Sequence, residues 1–303
     1  MTEASFGEPA RFGLWKRLAT RLPIAHRIFR IHPTMPATAY WRIYEAEVIL
    51  RGLRGRGRAL DLGCGDGSFA SVLFPAAPEL RWTGVEQDEV DATLARESGQ
   101  YQEVLLTRGE DMPFPDDEFD LVFSNCVLEH IDGLDVVLDH VGRILKPGGQ
   151  FIFTVPSEDF YEAIAIPRFL RALGVVSTRD RYMDHLDRRL EMVNVLDMRE
   201  WETKLAQRGL EVTAEVPYAT QWAASIWELI ATFTGGVAYW VAQGMTTPRK
   251  IQQSSGLVQP DRGWIGSICF VLLLPAILLS AVMRNRPPYA GRFVVATKEG
   301  QAK

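Results

Sequence analysis

From residue 58 onward, short apolar runs alternate with segments whose apolar positions recur every three or four residues. Arg58–Leu62, Leu80–Glu86 ("LRWTGVE"), Val104–Leu106, Phe119–Asn125 ("FDLVFSN"), Gln150–Val155 ("QFIFTV"), Leu210–Val216 and Arg292–Thr297 ("RFVVAT") carry the strand pattern. Ser68–Phe74, Val90–Glu97, Leu134–Leu145 and Met198–Arg208 read as helices between them. In Leu134–Leu145, apolar residues at 134, 137, 138, 141, 144 and 145 keep close to the 3.6-residue period. That helix should stop at "KPGG", because Pro147 and two glycines cannot continue it. Strands alternating with helices need crossover connections, which predicts an α/β fold with a doubly wound, mostly parallel seven-stranded sheet.

Two other segments break this rhythm. Arg11–Ile31 places Phe12, Trp15, Leu18, Leu22, Ala25 and Phe29 on one helical face, with basic residues around the rest and Pro23 as a potential kink. Such a basic amphipathic helix suits an anionic membrane surface or, alternatively, packing on the rest of the protein. Near the end, Trp264–Met283 carries no charge, and eleven of its twenty residues are Leu, Ile, Val or Phe. On an insertion scale these contribute about −3 to −7 kcal/mol, enough to overcome Pro275. Twenty helical residues span about 30 Å, the thickness of the hydrocarbon core.

If "RFVVAT" completes the sheet, an odd number of crossings would strand it on the wrong side of a membrane. Trp222–Met245, interrupted only by Glu228, offers a second segment, so an apolar helical hairpin inserted before the last strand is expected. Its connecting loop carries Arg249, Lys250 and Arg262 against Asp261, which disfavours exporting it. A spanning hairpin, an in-plane or re-entrant hairpin and an apolar cap on a soluble enzyme therefore all stay open. Residues 222–283 would then be an insertion that the catalytic fold does not need.

Composition narrows the function only by exclusion. Hydrophobic residues at 47% and charged residues at 23% are ordinary globular values, and a net charge of −5 gives no reason to expect nucleic acid. Cys64, Cys126 and Cys269 lie far apart without a C-x-x-C pair, so no metal site is expected and a reducing compartment is.

The chemistry concentrates after the first strand. "ALDLGCGDG" sets Asp61 at the strand end and then Gly63, Gly65 and Gly67 before a helix. Glycines there allow a tight turn and let backbone N–H groups approach a ligand. A dinucleotide fingerprint would need a third glycine where Ser68 stands, which argues against a nicotinamide oxidoreductase. Glu86 ends the second strand, where a carboxylate can accept both hydroxyls of a ribose. Turn and acid together point to a nucleoside ligand.

"ALDLGCGDGSFA", "GVEQDE", "EDMPFPDDEFDLVFSNCVLEHI" and "VGRILKPGGQFIFTVP" occur in order. This set resembles the class I S-adenosylmethionine-dependent methyltransferases, specifically the type-11 methyltransferase domain shared with ubiquinone and menaquinone biosynthesis enzymes. The resemblance is strong over about a third of the chain, from 58 to about 156, and implies a Rossmann-like fold. It implies that Asp61 and the backbone of Gly63, Gly65, Asp66 and Gly67 hold the amino-acid end of S-adenosyl-L-methionine. Glu86 would hold the ribose and Gln87 would lie against the adenine. Gly109, Glu110 and Asp111 would cover the adenine edge, and Asn125 would close over the methionine part. One departure stands out: many relatives have an acid at the position of Arg108, and arginine cannot accept a hydrogen bond.

A sulfonium methyl group is already activated, so alignment and exclusion of water do most of the work. His130, in "LEHID" after the fourth strand, is the candidate base, with a structural role as the alternative. His185 lies in the region after the fifth strand and reads as a solvated helix residue; Tyr161 and Tyr182 are weaker candidates. The expected organisation is residues 1–55 as a basic N-terminal segment with substrate-side helices, 56–217 as the cofactor-binding domain, 218–288 as the apolar insert, and 289–303 as the last strand and tail. The expected function is methyl transfer to a lipid or lipid-linked acceptor at a membrane, with the catalytic domain on the cytoplasmic side. Rival readings are a methyltransferase for a soluble small molecule and a catalytically silent membrane scaffold.

Overall fold

The computed structural model describes residues 14–236, 263–283 and 286–300. Its centre is a seven-stranded sheet of β1 (Gly57–Leu62), β2 (Leu80–Glu86), β3 (Glu103–Leu106), β4 (Phe119–Asn125), β5 (Leu145–Pro156), β6 (Leu210–Thr220) and β7 (Tyr289–Lys298). The spatial order is β3-β2-β1-β4-β5-β7-β6. β1 to β5 run parallel; β7 enters antiparallel between β5 and β6, with Phe153 opposite Val294 and Val216 opposite Phe293. Strand order reverses between β1 and β4, which opens a crevice at their carboxyl ends.

Helices cover both faces. They are α1 (Leu14–Ile31), α2 (Pro36–Gly52), α3 (Ala70–Leu73), α4 (Glu89–Glu97), α5 (Leu134–Ile144), α6 (Phe160–Ala163), α7 (Ala165–Ala172), α8 (Val176–Leu190), α9 (Met198–Ala206), α10 (Gln221–Ala231) and α11 (Gly263–Val282). The two-residue period of β7 divides the core. Phe293 and Val295 join the layer with Ile43, Ile49 and Trp227, while Val294 and Ala296 join that of Val141, Phe151 and Trp201.

The expected strands and helices all form, with three changes of extent. β5 starts at Leu145, so "KPGG" lies within the strand region instead of ahead of it. Phe119 pairs with Leu145 and Leu121 with Gln150, and the irregularity between these pairs takes up the four residues. Helix α3 is a single turn, followed by a 3-10 turn at Phe74–Ala76 that contains Pro75. β6 continues to Thr220, held by Tyr289, and therefore crosses the expected domain boundary at 218.

The apolar segments depart further. α1 runs through Pro23 unbroken, and its Ala25, Ile28 and Phe29 are fully buried. The apolar stripe of this helix is therefore turned onto the protein. A bidentate ion pair from Arg21 to Glu47 (2.5 and 2.7 Å) ties α1 to α2. α11 lies along α1, where a Cβ on Gly266 would sit 2.0 Å from the Phe29 carbonyl oxygen. His26 Nε2 meets Ser267 Oγ at 3.1 Å, and the Tyr44 hydroxyl donates to Ser280 Oγ at 2.6 Å.

α10 belongs to the main core: Ala223, Ala224 and Trp227 are buried, and the Trp227 ring lies 5.3 Å from that of Trp41. Residues 222–231 thus do not stand apart from the catalytic fold, in contrast to the expected insertion, and removing them would take these buried side chains from beside α2. Residues 237–245 of the expected first hairpin arm and its connecting loop lie outside the described residues.

Among the described residues, only one side of α11 is covered. Trp264, Ile268, Val271, Leu272, Leu279 and Val282 are exposed, with Leu272 reaching 72%. Their spacing places them along one helical face, an uncovered apolar stripe nearly the length of the helix.

Candidate active site

A cleft of about 1520 Å³ opens at the carboxyl ends of β1, β2 and β4. Its inner wall is the turn after β1. Gly63, Gly65 and Gly67 have φ of 76°, 56° and 73°, the left-handed region that favours glycine. A Cβ on Gly63 would lie 2.5 Å from Val127 Cγ2, so both conformation and space demand glycine. The turn is anchored by Gly63 N and Cys64 N, which donate to the Val85 carbonyl at 2.9 and 3.0 Å.

Two carboxylates converge there. Glu86 Oε2 accepts from Gly65 N at 2.8 Å, and its Oε1 accepts from Gln87 N and Asp88 N at 2.9 Å. One strand-end acid thus fixes both the glycine turn and the start of α4. Asp61 is buried and accepts from the Tyr101 hydroxyl at 2.7 Å. Burial pushes its carboxyl up to about 7; the Tyr101 hydrogen bond pulls it down and the Glu86 charge pushes it up.

Asp61, Gly63, Gly65, Asp66, Glu86, Gln87, Gly109, Glu110, Asn125 and His130 all line this one cleft. Two predicted residues do not. Gly67 faces α4 instead, where a Cβ would meet Ser98 Oγ at 2.7 Å, so its role is close packing of the turn. Asp111 ends a 3-10 turn (Gly109–Asp111) and points outward, exposed. Arg108 lines the cleft and pairs with Glu110 Oε1 at 2.7 Å, which occupies the carboxylate nearest the expected adenine edge.

Asn125 is less free than expected, since its Oδ1 accepts from Thr154 Oγ1 at 2.8 Å and its Nδ2 approaches Glu45 Oε2 at 3.4 Å. His130 closes a 3-10 turn (Leu128–His130), with Nδ1 2.9 Å from the Glu191 carbonyl oxygen. A carbonyl can only accept, so Nδ1 carries a hydrogen. His185, Tyr161 and Tyr182 lie on α8 or beside it and do not line the cleft; Tyr182 donates to Glu228 Oε1 at 2.8 Å and Tyr161 donates to Asp187.

Sequence reading missed Tyr101, Arg42, Glu45 and Glu129. Glu45 is fully buried in the middle of α2 and accepts from Arg42 Nη1 (2.6 Å) and the Cys126 thiol (2.7 Å). Its signal was present as one of two acids within "YEAEVIL", on a helix that had to bury one face. Glu129 stands directly before His130 and was passed over for its neighbour. Among the described residues no cluster of metal-ligating side chains occurs.

Residues 60–153 match the family described as "Methyltransferase domain", about a third of the chain. A fatty-acid O-methyltransferase of Mycolicibacterium smegmatis is 28% identical over 194 residues, covering 57% of this chain and 69% of that protein. A ubiquinone/menaquinone biosynthesis C-methyltransferase of Desulfotalea psychrophila is 26% identical over 162 residues, 50% of this chain and 65% of that protein. Among solved structures, a geranyl diphosphate methyltransferase in complex with GPP and sinefungin has a TM-score of 0.51 at 13% identity. That alignment covers 84% of this chain and 77% of that one, and it is a likeness of fold. The glycine turn and its two acids thus belong to a class I S-adenosylmethionine-dependent methyltransferase domain, and S-adenosylmethionine is its methyl donor.

Proposed function

We propose that this protein transfers a methyl group from S-adenosylmethionine to a lipid or lipid-linked acceptor at a membrane surface, from the cytoplasmic side. One observation carries the reading. Ile265 and Cys269 of the apolar helix α11, and Trp227 and Ala231 of α10, line the same cleft as Asp61 and Glu86. An apolar acceptor held in lipid can therefore reach the cofactor site along the flank of α11 without passing through water. The names of the relatives agree with an acceptor of this kind, since one methylates fatty acids and another acts in quinone biosynthesis.

The residues fit the methyl donor. The buried Asp61 carboxyl suits the ammonium of its amino-acid end, and left-handed glycines leave backbone room beside it. Glu86 suits the ribose hydroxyls once Oε2 exchanges the Gly65 N–H for them. Gln87 and the backbone of Gly109 and Glu110 flank the adenine. When bound, S-adenosylmethionine supplies an electrophilic methyl group; the chain holds it, excludes water and positions the acceptor.

α11 seats its uncovered stripe in the interface rather than crossing the bilayer. A crossing would draw α1 with it, and α1 carries the Arg21–Glu47 ion pair together with His26, Arg27 and Arg30. Charges at the bilayer centre cost several kcal/mol each, roughly 2.5–3.5 on insertion scales. The full chain should pellet with vesicles and stay bound through a high-salt wash, because apolar burial is not screened by salt. It should also transfer labelled methyl from S-adenosylmethionine into a lipid extract. Release by salt alone would assign the attachment to surface charge, and label entering only water-soluble molecules would sink the lipid reading.

A further inference from the structure

Beyond Asn125, the cleft has a polar recess lined by none of the residues assigned to the cofactor. Arg42 and Glu45 reach it from α2, and Cys126 and Glu129 reach it from the connection after β4. Tyr218 of β6 is buried behind them. Most of this group is mutually satisfied: Glu45 accepts from Arg42, from the Cys126 thiol and, at 3.5 Å, from the Tyr218 hydroxyl. Cys126 itself sits at φ 51°, a strained conformation for a residue with a side chain.

Glu129 is the exception. Its side chain is almost wholly buried, and Oε2 is shut from solvent without a hydrogen-bond partner. A buried acceptor atom left without a donor lowers stability, and natural sites that keep one usually gain something else by it. The groups that face this carboxyl are His130 from its own turn, Glu45 from α2 and the Cys126 thiol. None of these is lysine or arginine, and the nearby Arg42 guanidinium is already held by Glu45. Burial foremost, then the Glu45 charge, raise the proton affinity of Glu129; His130 and Cys126 oppose them.

We infer that Glu129 is the catalytic base, that it takes the proton of a neutral hydroxyl or phenol on the apolar acceptor, and that it turns away acceptors already anionic. The inference rests on the lipid-methyltransferase reading above and names the reacting group of its substrate. Glu129 lines the cleft, so a rotation of its carboxyl that brings Oε2 to the cleft wall lets the acceptor hydroxyl supply the donor that Oε2 lacks. As the bond from the acceptor oxygen to the methyl carbon forms, the methyl–sulfur bond breaks and its electron pair stays on sulfur, now a neutral thioether. The hydroxyl proton passes to Glu129.

His130 gives that proton an exit. Its Nε2 lies 3.9 Å from Glu129 Oε1 and its ring is partly exposed, so a modest closure lets the protonated acid donate to Nε2 and on to water. A carboxylate or phosphate in the same recess would instead place two anions together where water is scarce. It would also need no base.

The test uses the full chain with S-adenosylmethionine and two chosen probes, 4-dodecylphenol and palmitate. The parent should methylate the phenol in preference to palmitate. Glu129→Gln should lower kcat about a hundredfold or more, as expected for loss of a general base, with phenol KM and cofactor affinity within a few-fold of the parent. With S-adenosylmethionine held saturating at every pH, the acidic limb of the kcat/KM profile for the phenol should vanish with it, and Glu129→Asp should restore part of the rate. Independently of turnover, the infrared carboxylic-acid band of the cofactor-free parent should persist above the range where ordinary glutamates ionise. Glu129→Gln should lose the share of that band that Asp61, whose carboxyl is also raised, does not supply. Turnover of Glu129→Gln within about threefold of the parent, or palmitate as the better acceptor, overturns the inference. A parent that binds no cofactor by calorimetry, or labels neither probe nor any lipid, would instead bring down the reading on which it rests.

Discussion

The turn after β1 and the contact between α1 and α11 both depend on glycine, for opposite reasons. At Gly63 the backbone itself is unusual, with φ at 76°, and the space beside it is closed by Val127. At Gly266 the backbone is ordinary helix, and what matters is the Phe29 carbonyl oxygen pressed against it. The first glycine shapes a surface for a ligand, whereas the second lets two helices touch. The difference teaches where a motif can be expected. The left-handed conformation of the turn is written in consecutive residues, so it is legible as "GCGDG" even though Val85, Glu86 and Val127 enclose it; the helix contact is fixed only by a partner more than two hundred residues distant.

The sharpest way to separate the two is to fill both sites. Gly63→Val should abolish measurable cofactor binding and lower stability by about 2–6 kcal/mol, from left-handed strain plus overpacking. Calorimetry and thermal melts would read the two effects, and retained affinity would break the assignment of this turn. Glu86→Ala tests the same end more gently. It removes the acceptor for Gly65, Gln87 and Asp88 N–H groups as well as the ribose partner, and should weaken cofactor binding by about 1.5–3 kcal/mol.

Gly266→Leu belongs to the other side of the comparison. It should cost about 1–3 kcal/mol of stability through overpacking against α1, while cofactor affinity stays within a few-fold. Weakened flotation with vesicles would accompany it if the α11 stripe is the membrane contact. A cofactor affinity that fell along with stability would show that the two regions are coupled rather than separate.

The smallest effect expected is a pH dependence at Asp61. Its carboxyl is raised to about 7 in the folded chain, against 3.8 for an ordinary aspartate, so the folded state binds the proton more tightly than the unfolded one. Stability from this group is therefore present at low pH and lost as pH rises towards 7. A cationic cofactor needs the ionised form, so affinity should fall by up to about tenfold, roughly 1.4 kcal/mol, per pH unit below 7. Asp61→Asn should melt higher than the parent at pH 8 and bind cofactor less well. A parent whose affinity is flat from pH 8 to 6 would remove Asp61 from the ammonium.

The cofactor end was legible because its chemistry is local. Asp61, Gly63, Gly65 and Glu86 lie at the ends of two strands that pair in parallel, with Asp61 opposite Gly84. Gly67 of the same turn faces α4, and Asp111, from the segment before "MPF", faces solvent. Glu45 and Glu129 escaped because their meaning comes from company: 81 residues separate Glu45 from the Cys126 thiol it accepts. No spacing rule connects such residues until the chain is folded.

By itself the sequence determined the α/β alternation, the seven strands, the left-handed turn and the acids beside it, because periodicity and turn chemistry act over a few residues. It also determined that one helix near the end would be apolar all round. Only the tertiary structure decided which side of that helix would be covered. α1, which by its sequence could turn its apolar stripe to a membrane or to the protein, turns it inward; α11 meets it through Gly266 and Ser267 and meets α2 through Ser280. What remains uncovered among the described residues is the face from Trp264 to Val282, on the helix whose Ile265 and Cys269 line the cleft. An apolar residue gains equally from protein or lipid, so its sequence cannot choose between them; the packing of a distant partner removes one face and leaves the other.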